Sequence, residues 1–162
     1  MKKKILLGLS GSVACSKAEL FVNQNSEKFE FKFLSTHNGL NYLSEEFISS
    51  NNIYSDWSEL SGSPHIELAR WADEIIIYPA SANLISKISS GIADDLLTST
   101  ILMFSKPIYI CPAMHEEMYV NSQIQSNVLN LSKNHYIVGP RYGNLDIGDK
   151  GLGRLIEPDE LL

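Results

Sequence analysis

Cysteine and long apolar runs are scarce in this sequence. Its 162 residues include only two cysteines, Cys15 and Cys111. That is too few for a disulfide framework and shows no metal-ligand spacing, so we expect a reducing compartment, the cytoplasm. No apolar stretch reaches the roughly 18 residues that a membrane span needs. The apolar segment near the N terminus breaks at Gly8 and lacks a signal-peptide core, so we expect no membrane association.

Positive charge is scarce as well. The formal net charge is −6, and the only basic run is Lys2–Lys4. Nucleic-acid binding needs clustered lysine and arginine against phosphates, so the sequence argues against a nucleic-acid partner. With 44% hydrophobic and 20% charged residues, the chain is typical of one globular domain over 1–162.

The chain does contain alternating strand and helix patterns. Apolar, β-branched runs occupy 4–9, 30–35, 74–79, 107–112 and 135–140, and helical periodicity occupies 12–24, 40–49, 81–103 and 116–133. Near-continuous apolar strands alternating with helices predict a parallel sheet covered on both faces. The predicted fold class is α/β, a single-domain three-layer α/β/α with a doubly wound parallel sheet of flavodoxin-like or Rossmann-like type.

Small and polar residues follow four of these strands. The segments are "GLSGSVACSK", "STHNG", "PASANLISK" and "PAMHEEM". Ligands of doubly wound sheets bind beyond the carboxyl ends of the strands. We therefore expect these four loops to converge on one site.

The first two loops suit an anion. Gly11 and Ser12 stand between a strand and a helix, where free N–H groups favour phosphate, although a plain capped turn fits the same letters. The segment is neither GxGxxG nor a P-loop. Ser35 and Thr36 supply hydroxyls for the same phosphate or form an ST-type turn.

The later loops carry the remaining polar candidates. Asn83 has an amide that both donates and accepts, and Ser81 suits either the site or a helix N-cap. His65 is either a general base or an ordinary surface histidine. His115 begins a helix, but "HEEM" lacks the second histidine of HExxH, so no metal site is predicted. Glu116 and Glu117 are expected to be solvated and dispensable.

Together the loops resemble the flavin-containing cysteine decarboxylases. "PASANLISKISSGIADDLLTSTIL" (79–102) is similar to that family's longest signature, "PAMHEEMY" (112–119) to its PxMNxxMW motif, and "HIEL…WAD" (65–73) and "SGS" to its remaining motifs. The resemblance covers residues 4–158. The family includes enzymes acting on phosphopantothenoylcysteine in coenzyme A biosynthesis and enzymes acting on peptidyl cysteine.

The resemblance implies non-covalent FMN at the subunit contacts of a homo-oligomer, a trimer or a dodecamer. The residues that it assigns to FMN are Gly11, Ser12, Ser35, Ser81, Ala82, Asn83 and Ala113. It makes His65 the catalytic base, and it assigns substrate binding to His115, Met118, Asn83 and Arg154. The implied reaction oxidises the thiol side of cysteine to a thioaldehyde, which lets the carboxylate leave as CO2, and then reduces the enethiolate.

Two departures from the family pattern leave alternatives open. His115 stands where the motif has asparagine, the residue that holds the substrate carboxylate. Segment 143–158 resembles the family's substrate-recognition flap, but Ile147 stands where that flap has a proton-donating cysteine, so Asp146 and Asp149 become candidate donors. The alternatives are a peptidyl-cysteine decarboxylase that stops at the enethiol and a flavin-binding regulatory subunit. A following ligase domain is also an open expectation.

Overall fold

A six-stranded parallel sheet forms the centre of the protein, and the computed structural model describes all 162 residues. Its strands are β1 (Lys3–Leu9), β2 (Phe29–Ser35), β3 (Ile53–Tyr54), β4 (Glu74–Ala80), β5 (Tyr109–Pro112) and β6 (Tyr136–Ile137). The spatial order is β3-β2-β1-β4-β5-β6, and every neighbouring pair is parallel. The strand order reverses between β1 and β4, so the doubly wound α/β prediction is confirmed.

Helices cover both faces of this sheet. They are α1 (Cys15–Asn25), α2 (His37–Leu40), α3 (Glu45–Ser50), α4 (Pro64–Trp71), α5 (Ala82–Ser90), α6 (Leu96–Met103), α7 (Glu116–Tyr119) and α8 (Ser122–Ser132). The segment 81–103, predicted as one helix, is divided. Gly91 ends α5 in the left-handed conformation, and Asp95 begins α6 by accepting the Thr98 N–H. Local capping therefore outweighs the continuous apolar pattern.

Side chains of the central strands alternate between two apolar cores. Ile5, Leu7 and Leu9 of β1 pack on one face with α1, and Leu6 packs on the other with α6. Successive strand residues point to opposite faces. Both faces are covered, which explains the unbroken apolar runs in the sequence. No helix combines the length and the apolar character needed to cross a membrane.

An antiparallel hairpin follows the sheet. Its strands are β7 (Arg141–Asn144) and β8 (Lys150–Arg154). The strand predicted over 135–140 is shorter, since only Tyr136 and Ile137 pair with β5. The sequence pattern did not predict the hairpin, because the glycine-rich segment 143–154 lacks the alternation of apolar and polar residues that is typical of a strand.

Candidate active site

Two adjoining cavities lie beyond the carboxyl ends of β1 and β4. The larger has a volume of about 580 Å³ and the smaller about 440 Å³. Gly11, Ser81, Ala82 and Met118 line both. The predicted convergence of the strand-end loops therefore occurs, at the point where a doubly wound sheet binds its ligands.

The loop after β1 presents unpaired backbone donors. Gly11, Ser12 and Val13 line the larger cavity, and the N–H groups of Gly11 and Val13 form no hydrogen bond within the chain. The Ser12 hydroxyl instead accepts the Ala14 N–H at 3.2 Å. Free N–H groups just before a helix form a site suited to an anion.

The loop after β2 places threonine rather than serine on the cavity wall. Ser35 is buried, donates its hydroxyl to the Thr36 carbonyl at 2.8 Å and lines neither cavity. Thr36 lines the smaller cavity and caps α2 by accepting the Gly39 N–H at 3.0 Å. Hence Thr36, not Ser35, is the hydroxyl residue next to the cavity.

The loop after β4 is fixed by a short relay of hydrogen bonds. The Ser81 N–H donates to the Ser10 hydroxyl at 2.8 Å, and Ser10 donates to the Pro79 carbonyl at 2.8 Å. The Ser81 hydroxyl accepts the Leu84 N–H at 3.2 Å, so its N-cap interpretation is confirmed. Asn83 is exposed, lines the smaller cavity and makes no side-chain hydrogen bond, so its amide is free for a ligand.

The loop after β5 carries a histidine between two acids. Ala113, His115 and Met118 line the larger cavity. His115 Nε2 lies 2.7 Å from Asp149 Oδ2, and Nδ1 contacts the Glu117 carboxylate. The hydrogen bond to Asp149, with a further contribution from Glu117, raises the pKa of His115. The site therefore favours the imidazolium form, which can hold a carboxylate.

Glu116 does not behave as the sequence predicted. Glu117 is exposed, whereas Glu116 is half-buried and its Oε1 accepts the Leu152 N–H of β8 at 2.9 Å. The expectation that both acids are solvated is wrong for Glu116. Its partner lies 36 positions away along the chain, so no local pattern could have indicated the contact.

The hairpin supplies a further wall of the larger cavity. Residues 144–147 and 153–155 line it, and Ile147, 84% exposed, lies in the turn. Arg154 Nη2 and Lys17 Nζ lie 2.9 and 2.8 Å from Glu157 Oε1. Hydrogen bonds from Lys17 and then Arg154 lower the pKa of Glu157. Two cations therefore share one carboxylate at this end of the cavity.

Lys17 is a cavity residue that the sequence reading missed. It lines the larger cavity together with Val13, and the two residues are four apart. Lys17 lies in the first turn of α1, where the helix dipole disfavours a cation, and this unusual placement is the signal that was available. Lys17 also donates to the Leu155 carbonyl at 2.7 Å, which joins α1 to the segment after the hairpin.

His65 lies apart from these residues. It is the second residue of α4 and lines neither cavity. Its ring packs edge-on against Trp57 with centroids 5.0 Å apart, and its Nδ1 is buried without a hydrogen-bond partner. A single chain therefore does not bring His65 together with Asn83 and His115.

The two thiols take no part in the cavities. Cys15 and Cys111 are free and buried, and neither lines a cavity wall. Burial raises the pKa of Cys15 to about 12 and also raises that of Cys111. Both remain protonated and unreactive near neutral pH.

The fold and the position of the cavities define a class, the doubly wound α/β proteins that bind a nucleotide-like ligand at the strand switch point. The chain belongs to the family described as Flavoprotein, whose model matches residues 1–162. The resemblance drawn from the sequence motifs is therefore confirmed at the level of the family.

Similarity to individual proteins and solved structures supports the family assignment. The coenzyme A biosynthesis bifunctional protein CoaBC of Vibrio cholerae is 38% identical over 169 residues, which cover 99% of this chain and 42% of that protein. The chain thus spans less than half the length of this relative. A PPC decarboxylase mutant complexed with pantothenoylaminoethenethiol superposes with a TM-score of 0.90 at 33% identity, covering 98% of this chain and 93% of that one. The FMN binding protein AtHal3 superposes with a TM-score of 0.87 at 32% identity, covering 99% and 93%.

Proposed function

We propose that the protein is an FMN-dependent decarboxylase that converts 4'-phosphopantothenoylcysteine to 4'-phosphopantetheine in coenzyme A biosynthesis. The observation that carries the proposal is the enclosure of one cavity by the loops after β1, β4 and β5 and by the hairpin. The similarity to PPC decarboxylase over 98% of the chain supports this substrate class. The proposal includes a cytoplasmic location, which rests on the two free thiols.

The residues present fit FMN. The unpaired N–H groups of Gly11 and Val13, on either side of Ser12, suit its phosphate, with Thr36 nearby and Ser35 behind the wall. Ser81, Ala82 and Ala113 are small and leave room for a flat ring system, while the Asn83 amide is free to bind its polar edge. When bound, FMN supplies the two-electron oxidation and the later reduction that decarboxylation of cysteine requires.

The larger cavity offers complementary charge for the substrate. His115, whose cationic form is favoured by its raised pKa, would bind the cysteine carboxylate in the contact that Asp149 now occupies. Met118 would line the path of the substrate. Arg154, with Lys17, gives the positive charge that a substrate phosphate needs at another part of the wall. The hairpin, within 143–158, would act as the substrate-recognition flap.

The catalytic histidine would come from a neighbouring subunit. His65 lines neither cavity of its own chain and keeps a buried, unpartnered Nδ1. In a trimer, or a dodecamer built from trimers, His65 of one copy would face the cavity of the next and act as base in thiol oxidation. The oligomer would then complete the site.

Anaerobic incubation tests the reaction. Purified protein, expected to be yellow with FMN, is mixed with phosphopantothenoylcysteine, and the product is identified by mass. Loss of CO2 without net oxidation supports the proposal. A colourless protein that takes up no FMN, or a yellow one that leaves the substrate unchanged, contradicts it.

Mixed oligomers test the shared site. Glu45→Ala, at an exposed helix start, serves as a control variant. We expect His65→Asn to abolish turnover and His115→Ala to lower it about ten- to a hundredfold, the value of one charge-assisted hydrogen bond, both with FMN retained. Refolding the two variants together should restore part of the activity. If native mass spectrometry confirms that hybrid oligomers have formed and they recover no activity, a site built from two subunits is contradicted.

A second candidate function is decarboxylation of a C-terminal peptidyl cysteine. The observation that favours it is Ile147 in the hairpin turn, where no thiol is available as proton donor. Presenting a cysteine-terminated peptide beside phosphopantothenoylcysteine separates the two. An oxidised enethiol product from the peptide alone would favour the second candidate.

A further inference from the structure

The β7–β8 hairpin rests directly on the loop that follows β5. A Cβ atom on Gly153 would lie 2.1 Å from the Met114 carbonyl oxygen, and one on Gly151 would lie 2.9 Å from Glu116 Cβ. Both distances are below van der Waals contact, so this approach requires glycine. The Met114 N–H donates to the Gly153 carbonyl at 3.0 Å, which joins the two backbones side by side.

One carboxylate completes the contact between these segments. Glu116 is the first residue of α7, and its Oε1 accepts the Leu152 N–H at 2.9 Å. A carboxylate acceptor makes this bond stronger than one between neutral groups. Without it, the Leu152 N–H on the outer edge of β8 would lose its partner within the chain.

The position of the hairpin determines the shape of the larger cavity. Residues 144–147 and 153–155 belong to the hairpin segment and form part of the cavity wall. His115, next to Glu116 in the chain, reaches the same turn through Asp149. A hairpin that leaves Glu116 therefore moves a cavity wall away from the bound ligand.

We propose that Glu116 is a positioning residue, whose carboxylate holds the hairpin against α7 and keeps the substrate cavity closed. The bond from Leu152 carries the effect, and the close approach at Gly151 and Gly153 makes it geometrically possible. The role of Glu116 in substrate binding rests on the proposed function. Its role in holding the hairpin against α7 does not depend on that function.

Limited trypsin digestion of the FMN-saturated protein tests whether Glu116 holds the hairpin in place. Lys150 is exposed at the start of β8, and cleavage after it reports opening of the hairpin. We expect cleavage to be about ten- to a hundredfold faster in Glu116→Ala, since opening no longer breaks a charge-assisted bond. Glu116→Gln keeps an acceptor and should stay closer to the wild type.

Two controls separate this effect from general instability. Glu45 is the exposed first residue of α3, and its side chain makes no hydrogen bond or ion pair, so Glu45→Ala should leave cleavage unchanged. Cleavage after Lys32, within β2, reports global unfolding and should also stay constant. The proposal is overturned if Glu116→Ala is cut after Lys150 at the wild-type rate, or if Glu116→Gln is cut as fast as Glu116→Ala. It is also overturned if cleavage after Lys32 accelerates equally.

Kinetics test the consequence for substrate. In an active wild type, Glu116→Ala should raise KM about tenfold or more with a smaller change in kcat, and Glu116→Gln should restore most of it. A lower kcat at unchanged KM overturns the role in closing the cavity. If the wild type shows no decarboxylation, the proposed function fails, while the trypsin comparison still decides the role of Glu116.

Discussion

His115 shows how a single residue takes its charge from partners that are distant in the sequence. Asp149 lies 34 positions away, on the hairpin, and Glu117 lies on the following helix turn. Their hydrogen bonds raise the pKa of His115 above its ordinary value of 6.5. A raised pKa means that these contacts stabilise the folded protein fully below about pH 6.5 and that the stabilisation is lost as pH rises through the folded-state value.

Replacing Asp149 tests this account. In Asp149→Asn, the partner that contributes most is neutral, so we expect the pKa of His115 to fall relative to the wild type. NMR titration of the imidazole measures it. Asp146→Asn is the matched control, because Asp146 lies in the same turn and its carboxylate accepts a hydrogen bond only from the Ile147 N–H. Equal His115 pKa values in the wild type and Asp149→Asn would contradict the assignment of Asp149 as the main cause.

At the scale of elements, the hairpin turn holds a strained residue. Ile147 has φ of +54°, in the left-handed region, while its side chain is 84% exposed. A β-branched residue there loses about 1–2 kcal/mol to steric strain. Because the side chain buries little surface, no packing offsets this strain within the chain.

Glycine at this position should stabilise the protein. Ile147→Gly removes the strain but adds about 0.5–1 kcal/mol of glycine entropy cost, so a net gain of roughly 0.5–1 kcal/mol in the free energy of unfolding is expected. Urea denaturation measures it. Ile92→Gly, at an exposed loop position without positive φ, should give no gain. A loss in Ile147→Gly comparable to that in Ile92→Gly would show that the turn is unstrained.

At the scale of the whole molecule, the C-terminal segment closes one core. Leu155, Ile156 and Leu161 are buried in the same cluster as Ile76 and Tyr78 of β4. The Tyr78 hydroxyl donates to the Ile156 carbonyl at 2.7 Å in a buried setting. This bond joins the central strand to the residues that follow the hairpin, so it also supports the base of the cavity wall.

Removing that hydroxyl should destabilise the fold. Tyr78→Phe leaves the buried Ile156 carbonyl without its partner, and we expect a loss of about 1–3 kcal/mol in the free energy of unfolding. Chemical denaturation measures it. Tyr136→Phe is the control, because Tyr136 is exposed and its hydroxyl bonds nothing in the chain. If both variants unfold at the same urea concentration as the wild type, the Tyr78 bond does not support the C-terminal segment.

Much of the site could be anticipated from local sequence. Gly11, Ser81 and Asn83 follow directly on strands whose apolar runs are unmistakable, so their position at the cavity follows from the parallel sheet. The helix boundaries were harder. The break between α5 and α6 depends on the caps at Gly91 and Asp95, which a continuous apolar pattern conceals.

The sequence by itself determined the α/β class, the buried central strands and the loops that carry the polar groups. These follow from hydrophobic periodicity, which acts between near neighbours in the chain. Only the tertiary structure decided that Thr36 replaces Ser35 at the cavity, that Glu116 bonds the hairpin and that His65 lies outside the cavity of its own chain. Each of these depends on which distant segments pack together. The residues next to a side chain in the sequence do not indicate its partners in a distant segment, because packing and hydrogen bonding depend on distance in space rather than along the chain.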